Sequence, residues 1–429
     1  MTLLWLAVIL IAAKLASLVE RFGQSAVLGE LIIGIVLGNL ALVGIHLFDP
    51  IKTDTFLPFL AELGVIILLF QVGLESNISE MRKVGWRAFL VAIVGVVAPF
   101  VLGTWVVGPW LLPGLENNTY LFLGAALTAT SVGITARVFK DMGKLNTSEA
   151  KIVLGAAVID DVIGLIILAV VSALVSSGSV SLATVAIIFG KSLAFLVGAI
   201  VVGQLIAPYI GKFMSKIHTG IGMKFTIAIS FALVFAALAG LIGLAPIVGA
   251  FAAGLVLDPV HFDYFSKPAA AADLAKYAES SSDDSHKEKL LAKAKHHSDK
   301  HIEELIEPVA VFLVPVFFVM TGMSVNLETL FDPKILLAGL GITIAAFAGK
   351  IIAGAVAGKV SKSLVGFGMV PRGEVGLIFA TIGKQLGVVP DTVFSVILIM
   401  VILTTLLTPP ILSYMLKDKP NNPEPVPAT

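Results

Sequence analysis

The 429-residue chain contains no cysteine, which excludes disulfides, thiolate metal sites and cysteine nucleophiles. Charge is scarce as well. Only 14% of the residues are Asp, Glu, Lys or Arg, against roughly a quarter in a soluble domain. Acids and bases balance at 29 each and no basic patch stands out, so nothing here grips a nucleic acid. Histidine is missing from every apolar run, with His46 only bordering one, so no nucleophile–histidine–acid set can assemble there. What the chain has in quantity is apolar surface: 57% of residues are hydrophobic, and the mean hydropathy is +1.00. The apolar residues form long runs rather than a stripe of period 3.6, as in helices surrounded by lipid or by other buried helices. An all-α integral membrane protein is therefore predicted. The opening run MTLLWLAVILIAAKLASLVERFG has no basic leader region, its first charge being Lys14, and reads as a membrane helix rather than a signal peptide.

Cutting at charge and turn clusters predicts about 13 transmembrane helices, near 3–19, 25–45, 57–75, 86–110, 119–141, 149–175, 181–210, 222–242, 244–258, 306–325, 334–358, 363–386 and 389–416. A charged segment, 259–307, separates the ninth from the tenth. The tail 417–429 is proline-rich and is expected to be disordered. Lysines and arginines gather in the connections after odd-numbered spans: Arg21; Arg82, Lys83 and Arg87; Lys140 and Lys144; Lys212, Lys216 and Lys224; Lys359 and Lys362. The positive-inside rule then puts the N-terminus outside and the C-terminus in the cytoplasm, consistent with an odd number of spans.

The chain also repeats itself. Gln24–Gly38 aligns with Leu244–Asp258, pairing Gly29 with Gly249 and Gly34 with Gly254 at an offset of 220 residues. Leu68–Asn77 aligns with Phe317–Asn326, pairing Gly73 with Gly322, and Thr128–Phe139 aligns with Val370–Thr381, pairing Gly133 with Gly376. Seven spans separate the second from its counterpart, so the copies enter the membrane in opposite senses. Inverted repeats of this kind are typical of secondary transporters. The expected division is 1–258 for the first repeat, a linker helix and the start of the second repeat, with 308–416 completing that second copy.

Chemistry enters at VIDDVIGL. Asp160 and Asp161 lie inside one apolar run, although a carboxylate at mid-membrane costs about 2.5–3.5 kcal/mol on insertion scales. Successive side chains on a helix point about 100° apart, so one aspartate can face an ion path while its neighbour faces a partner. A hard monovalent cation prefers oxygen ligands, for which protons compete. Lys350, in AAFAGKIIAGAVAG, is the expected partner of Asp160. Lys191 is similarly placed, without an evident partner. LTATSVGITARV and MVPRGEVGLIF read as broken helices, the first offering hydroxyls from Thr130 and Ser131, the second holding Pro371, Arg372, Gly373 and Glu374. Arg372 and Glu374 are expected to neutralise each other or the half-helix dipoles rather than bind the ion. The charged segment carries His261, His286, His296, His297 and His301, expected to be solvated rather than metal ligands.

VIDDVIGL, FFVMTGMSVN, AGKIIAG and MVPRGEVGLIF together resemble the second branch of the monovalent cation:proton antiporters, over roughly residues 1–416. The resemblance implies two crossed broken helices, a homodimer, and a mobile core moving the ion by an elevator-type step. It also implies that Asp161 is the ion ligand, that Asp160 pairs with Lys350, that Thr130 and Ser131 lie among the coordinating oxygens, and that exchange is electrogenic. Potassium-efflux members carry a nucleotide-binding domain after the membrane part. This sequence ends about a dozen residues past its last helix, which tilts the expected substrate toward Na⁺. The expectation is an Na⁺/H⁺ antiporter without cofactor or resident metal, in a bacterial-type plasma membrane or a thylakoid membrane, with K⁺/H⁺ exchange or a cation channel as the alternatives. An intramembrane aspartyl protease is disfavoured, because its two aspartates must converge from two helices.

Overall fold

The computed structural model describes residues 2–22, 26–52, 54–75, 85–144, 147–177, 182–257, 264–266, 268–280, 284–299, 301–330 and 332–417. Among these residues there are helices and turns and no strand. An α-helix satisfies its backbone groups within one segment, which an apolar solvent demands. Ten described helices are long and apolar enough to cross a membrane, and they coincide with ten of the predicted spans. The remaining three predictions fall on a shorter apolar helix, Pro246–Val256, and on two interrupted helices described below. The eighth and ninth segments are separate. Ile221–Leu241 ends before Gly243, whose φ of 83° suits glycine alone, and Pro246 opens the next helix where its missing N–H costs nothing.

The charged segment ends earlier than the sequence places it and contains helices. Ala269–Ser280 and Asp284–Asp299 form two helices packed on each other, and the next helix, His301–Met323, starts five residues before the predicted 306. Leu182–Ser215 likewise runs past its predicted end at 210. The last helix, Asp391–Lys417, carries Pro409 and Pro410 inside it, and the tail beyond Lys417 lies outside the described residues.

The chain divides into two units, one of Met1–Ala61, Ile78–Gly190 and Pro315–Thr429, the other of Glu62–Asn77 and Lys191–Val314. In the first, the Ala26–Asn39 helix crosses the end of His301–Met323 at Gly34 and Gly322. A Cβ on Gly34 would stand 3.0 Å from the Gly322 Cα and closer still to the Val319 carbonyl. In the second, Gly73 crosses Gly254 the same way, a Cβ there standing 3.0 Å from the Gly254 Cα and closer to the Phe251 carbonyl. The helices touch backbone to backbone, as small residues allow where lipid supplies no hydrophobic drive. These four glycines are two of the pairs that the sequence aligns.

Candidate functional site

The site is built in the first unit, where both interruptions occur. Asn117–Thr128 and Val132–Asp141 are separated by residues 129–131, Ala129 leaving the helical region at φ −57° and ψ 137°. Lys362–Gly368 and Glu374–Gln385 are separated by residues 369–373. Pro371 there lacks an N–H and disfavours a helical Val370. Thr130, Ser131, Pro371 and Arg372 thus fall in the two unwound stretches, as the sequence places them. The freed backbone groups bond across the gap: the Ser131 N–H donates to the Pro371 carbonyl at 2.8 Å, and the Thr130 hydroxyl to the Met369 carbonyl at 3.2 Å. Thr135 adds a bond to the Gly368 carbonyl at 2.7 Å, and Thr405, from the last helix, donates to the Arg372 carbonyl at 2.5 Å. Irregular backbone survives at membrane depth because each unwound stretch is a partner for the other.

Beside this crossing runs the Ser148–Ser177 helix with both aspartates. Asp160 is 1% exposed, and the Lys350 Nζ, itself wholly buried, stands 3.1 Å from both of its carboxylate oxygens. Room for the amine comes from the Gly85–Val101 helix, where a Cβ on Gly95 would lie 3.5 Å from Nζ. Thr130 lies close enough to Asp160 to act on its carboxylate. Asp161, one position on, is half-buried and within electrostatic reach of Lys350. Asp161 is thus a second carboxylate of the same helix beside the Asp160–Lys350 pair, and carboxylate, hydroxyl and carbonyl oxygens are the ligands a hard cation takes.

Arg372 is wholly buried as well, and its guanidinium spends its donors on carbonyls: Nη1 on Met369 at 3.1 Å and Val370 at 2.5 Å, Nη2 on Ala346 at 3.4 Å. It caps the unwound stretch and ties it to the helix of Lys350, Pro333–Ala353. Its charge reaches Asp160. The expected partner, Glu374, begins the following helix with a side chain outside the described residues. Among the described side chains here, two buried cations and two carboxylates balance in formal charge.

Lys191 is exposed on Leu182–Ser215. Of the five segment histidines, the side chains of His261, His286, His296 and His297 lie outside the described residues. His301 corrects the expectation of a solvated side chain: it is 7% exposed, because it opens a membrane helix instead of ending a loop. Among the described residues no group of three His, Asp or Glu could hold a metal ion. Sequence reasoning passed over Glu30, buried within Ala26–Asn39, although an acid inside the run AVLGELIIGIVLG was a visible signal.

The chain matches the family described as sodium/hydrogen exchanger, transmembrane, over residues 6–271 and 290–418. It is 36% identical over 382 residues to the high-affinity Na(+)/H(+) antiporter NhaS3 of Synechocystis sp., covering 86% of this chain and 74% of that one. It is 33% identical over 424 residues to the Na(+)/H(+)-K(+) antiporter GerN of Bacillus cereus, covering 96% of each. The sodium proton antiporter MjNhaP1 from Methanocaldococcus jannaschii at pH 8 shares the fold with a TM-score of 0.69 at 18% identity, over 97% of this chain and 98% of that one. The chain belongs to the sodium/hydrogen exchanger family, and it is a multi-pass membrane transporter exchanging cation for proton rather than an enzyme.

Proposed function

We propose that the transported cation is Na⁺, held by Asp161 with oxygens from Thr130 and Ser131, and that Asp160 and Lys350 form the switch that couples it to protons. The observation that carries this reading is the buried Asp160–Lys350 pair, bonded at 3.1 Å, beside a second, half-buried carboxylate at Asp161. Among the described side chains, the charges of Asp160, Asp161, Lys350 and Arg372 balance. Adding Na⁺ leaves a net positive charge in a medium of low dielectric, where an unbalanced charge is costly. The relief within reach is loss of a proton from Lys350 or from an aspartate, so that cation entry expels protons. Two aspartates and a lysine serving one cation favour more protons than cations per cycle, hence electrogenic exchange.

Support for Na⁺ comes from the names of both relatives, and the name of GerN favours K⁺ as a second cation. The aligned glycine crossings in the two units support an inverted repeat, and with it alternating access by an elevator-type movement of the part that carries the aspartates. A homodimer, an outside N-terminus, a cytoplasmic C-terminus, and a bacterial-type plasma or thylakoid membrane complete the reading. The test is exchange in proteoliposomes loaded with a pH-sensitive dye under an inside-acid gradient. Na⁺ added outside should dequench the dye, and Asp161→Asn should abolish the signal. Full activity in Asp161→Asn removes the mechanism, and a response to K⁺ alone changes the substrate.

A further inference from the structure

Glu30 is a carboxylate that the exchange mechanism does not use. It lies five residues into Ala26–Asn39, within an apolar stretch able to cross a membrane, and is 7% exposed. It takes part in no hydrogen bond or ion pair among the described residues. The neighbouring Gly29 packs on the Ala16 carbonyl and on Val19, while Leu28 and Leu31 line a small cavity of about 30 Å³ whose other wall includes Ser131, Gly373 and Thr405. Glu30 thus shares a helix turn with residues that line this cavity and with a glycine that packs on the first helix.

The charges facing it are few. Lys14, on Thr2–Ala16, and Glu20, in the turn that follows, act on it electrostatically, and both are exposed, as is Arg21 beside them. The other helix packed on Ala26–Asn39 presents Val319 to Met323, all uncharged, and the cavity wall presents hydroxyls and a glycine. A carboxylate held in an apolar helix without a hydrogen bond favours the neutral acid, or a cation brought to it. Water entering the cavity, or Lys14 turning inward, would let it ionise.

We infer that Glu30 is a proton-binding site additional to the aspartate pair, neutral in the conformation seen here and ionised in another, so that its proton biases the balance between conformations. The inference rests on the antiporter reading for its transport consequence, but not for the protonation itself.

The test combines two readouts on the full-length protein. Infrared difference spectroscopy follows the carboxylic-acid C=O band during a pH titration, and proteoliposome exchange is measured across pH, each for wild type, Glu30→Gln, Lys14→Met and the double variant. Glu30→Gln preserves shape and mimics the protonated acid. It should delete one titrating band and displace the pH profile of exchange by about one unit, as loss of one nearby charge does. Lys14→Met, which leaves the cavity walls intact, should displace the wild-type profile to higher pH by making the ionised form harder to reach, and should do nothing in the Glu30→Gln background. Superimposable profiles with an unchanged band, or equal Lys14→Met shifts in both backgrounds, would overturn the inference. If no cation drives exchange even in wild type, the antiporter reading fails, and the infrared titration still decides Glu30.

Discussion

Removing Lys350 tests the energetics of the site most directly. At 3.1 Å, and at an effective dielectric constant of ~20, the attraction between Nζ and the Asp160 carboxylate is about 5 kcal/mol before desolvation is counted. Both side chains are out of solvent, so much of that attraction offsets the cost of burying two charges, and the net worth of the pair is small. Breaking it is another matter. Among the described side chains, Lys350→Met leaves Asp160 with Arg372 as its remaining cation, and Asp160→Asn leaves Lys350 with Asp161 as its remaining carboxylate. Each single variant should lose about 3–5 kcal/mol, while Asp160→Asn with Lys350→Met should recover most of it. The signs with pH differ. Lys350→Met should regain stability as pH falls, because the stranded carboxylate takes up a proton. Asp160→Asn should regain it as pH rises, because the stranded lysine gives one up. Arg372 cannot adjust, since guanidinium keeps its charge throughout. Thermal unfolding in detergent, followed by size-exclusion fluorescence from acid to alkaline pH, reads all four proteins. Additive losses in the double variant, or parallel pH trends in the two single variants, would refute the reasoning.

Three further outcomes follow from the packing. Gly34→Ala and Gly254→Ala each insert a methyl between backbones that leave no room for it, and each should cost about 1–3 kcal/mol in thermal unfolding; silence at either crossing would mean that the helices there are not held in contact. Thr405→Val strands the buried Arg372 carbonyl and should cost about 1–3 kcal/mol, with faster hydrogen exchange in residues 369–373 as the accompanying sign. Asp54 lies outside the membrane helices, where bonds from the Thr2 hydroxyl and from the Leu57 and Phe56 N–H groups hold its carboxyl below the usual 3.8. Its contribution is present above that value and lost as pH falls through the lower, folded one, so Asp54→Asn should matter at neutral pH and not in strong acid.

The helices were legible because apolar length needs no tertiary information, and both interruptions were legible because Pro371 and the Thr–Ser–Gly cluster weaken a helix locally. Asp160 and Lys350 could be named as partners since each is a charge that a membrane interior tolerates only in company. Arg372 was less legible. Near Glu374 in sequence it reads as half of a local pair, but it sits in unwound chain, where free carbonyls compete for its donors and sequence spacing says nothing about them. His301 was hidden by a helix boundary set five residues late. Glu30 was hidden by the repeat itself, which aligns it with Ala250 and so gives no reason to look for a polar residue there.

The glycine crossings carry the last step. Alignment says which residues are alike, and packing says which residues touch, and the two relations are independent. Exchanging the aligned partners turns Gly34 against Gly322 into Gly254 against Gly73, which is the contact found in the other unit. The neighbouring contacts obey the same exchange: Gly34 meets the carbonyl of Val319, three residues before Gly322, and Gly254 meets that of Phe70, three residues before Gly73. A chance pattern of small residues in apolar helices supplies glycines that align, but not contacts that exchange with them. The asymmetry at Glu30 stands out against that background. Its aligned position holds a buried alanine, so an ionisable group there is a property of one copy alone, as expected of a residue that serves transport and not the packing common to both.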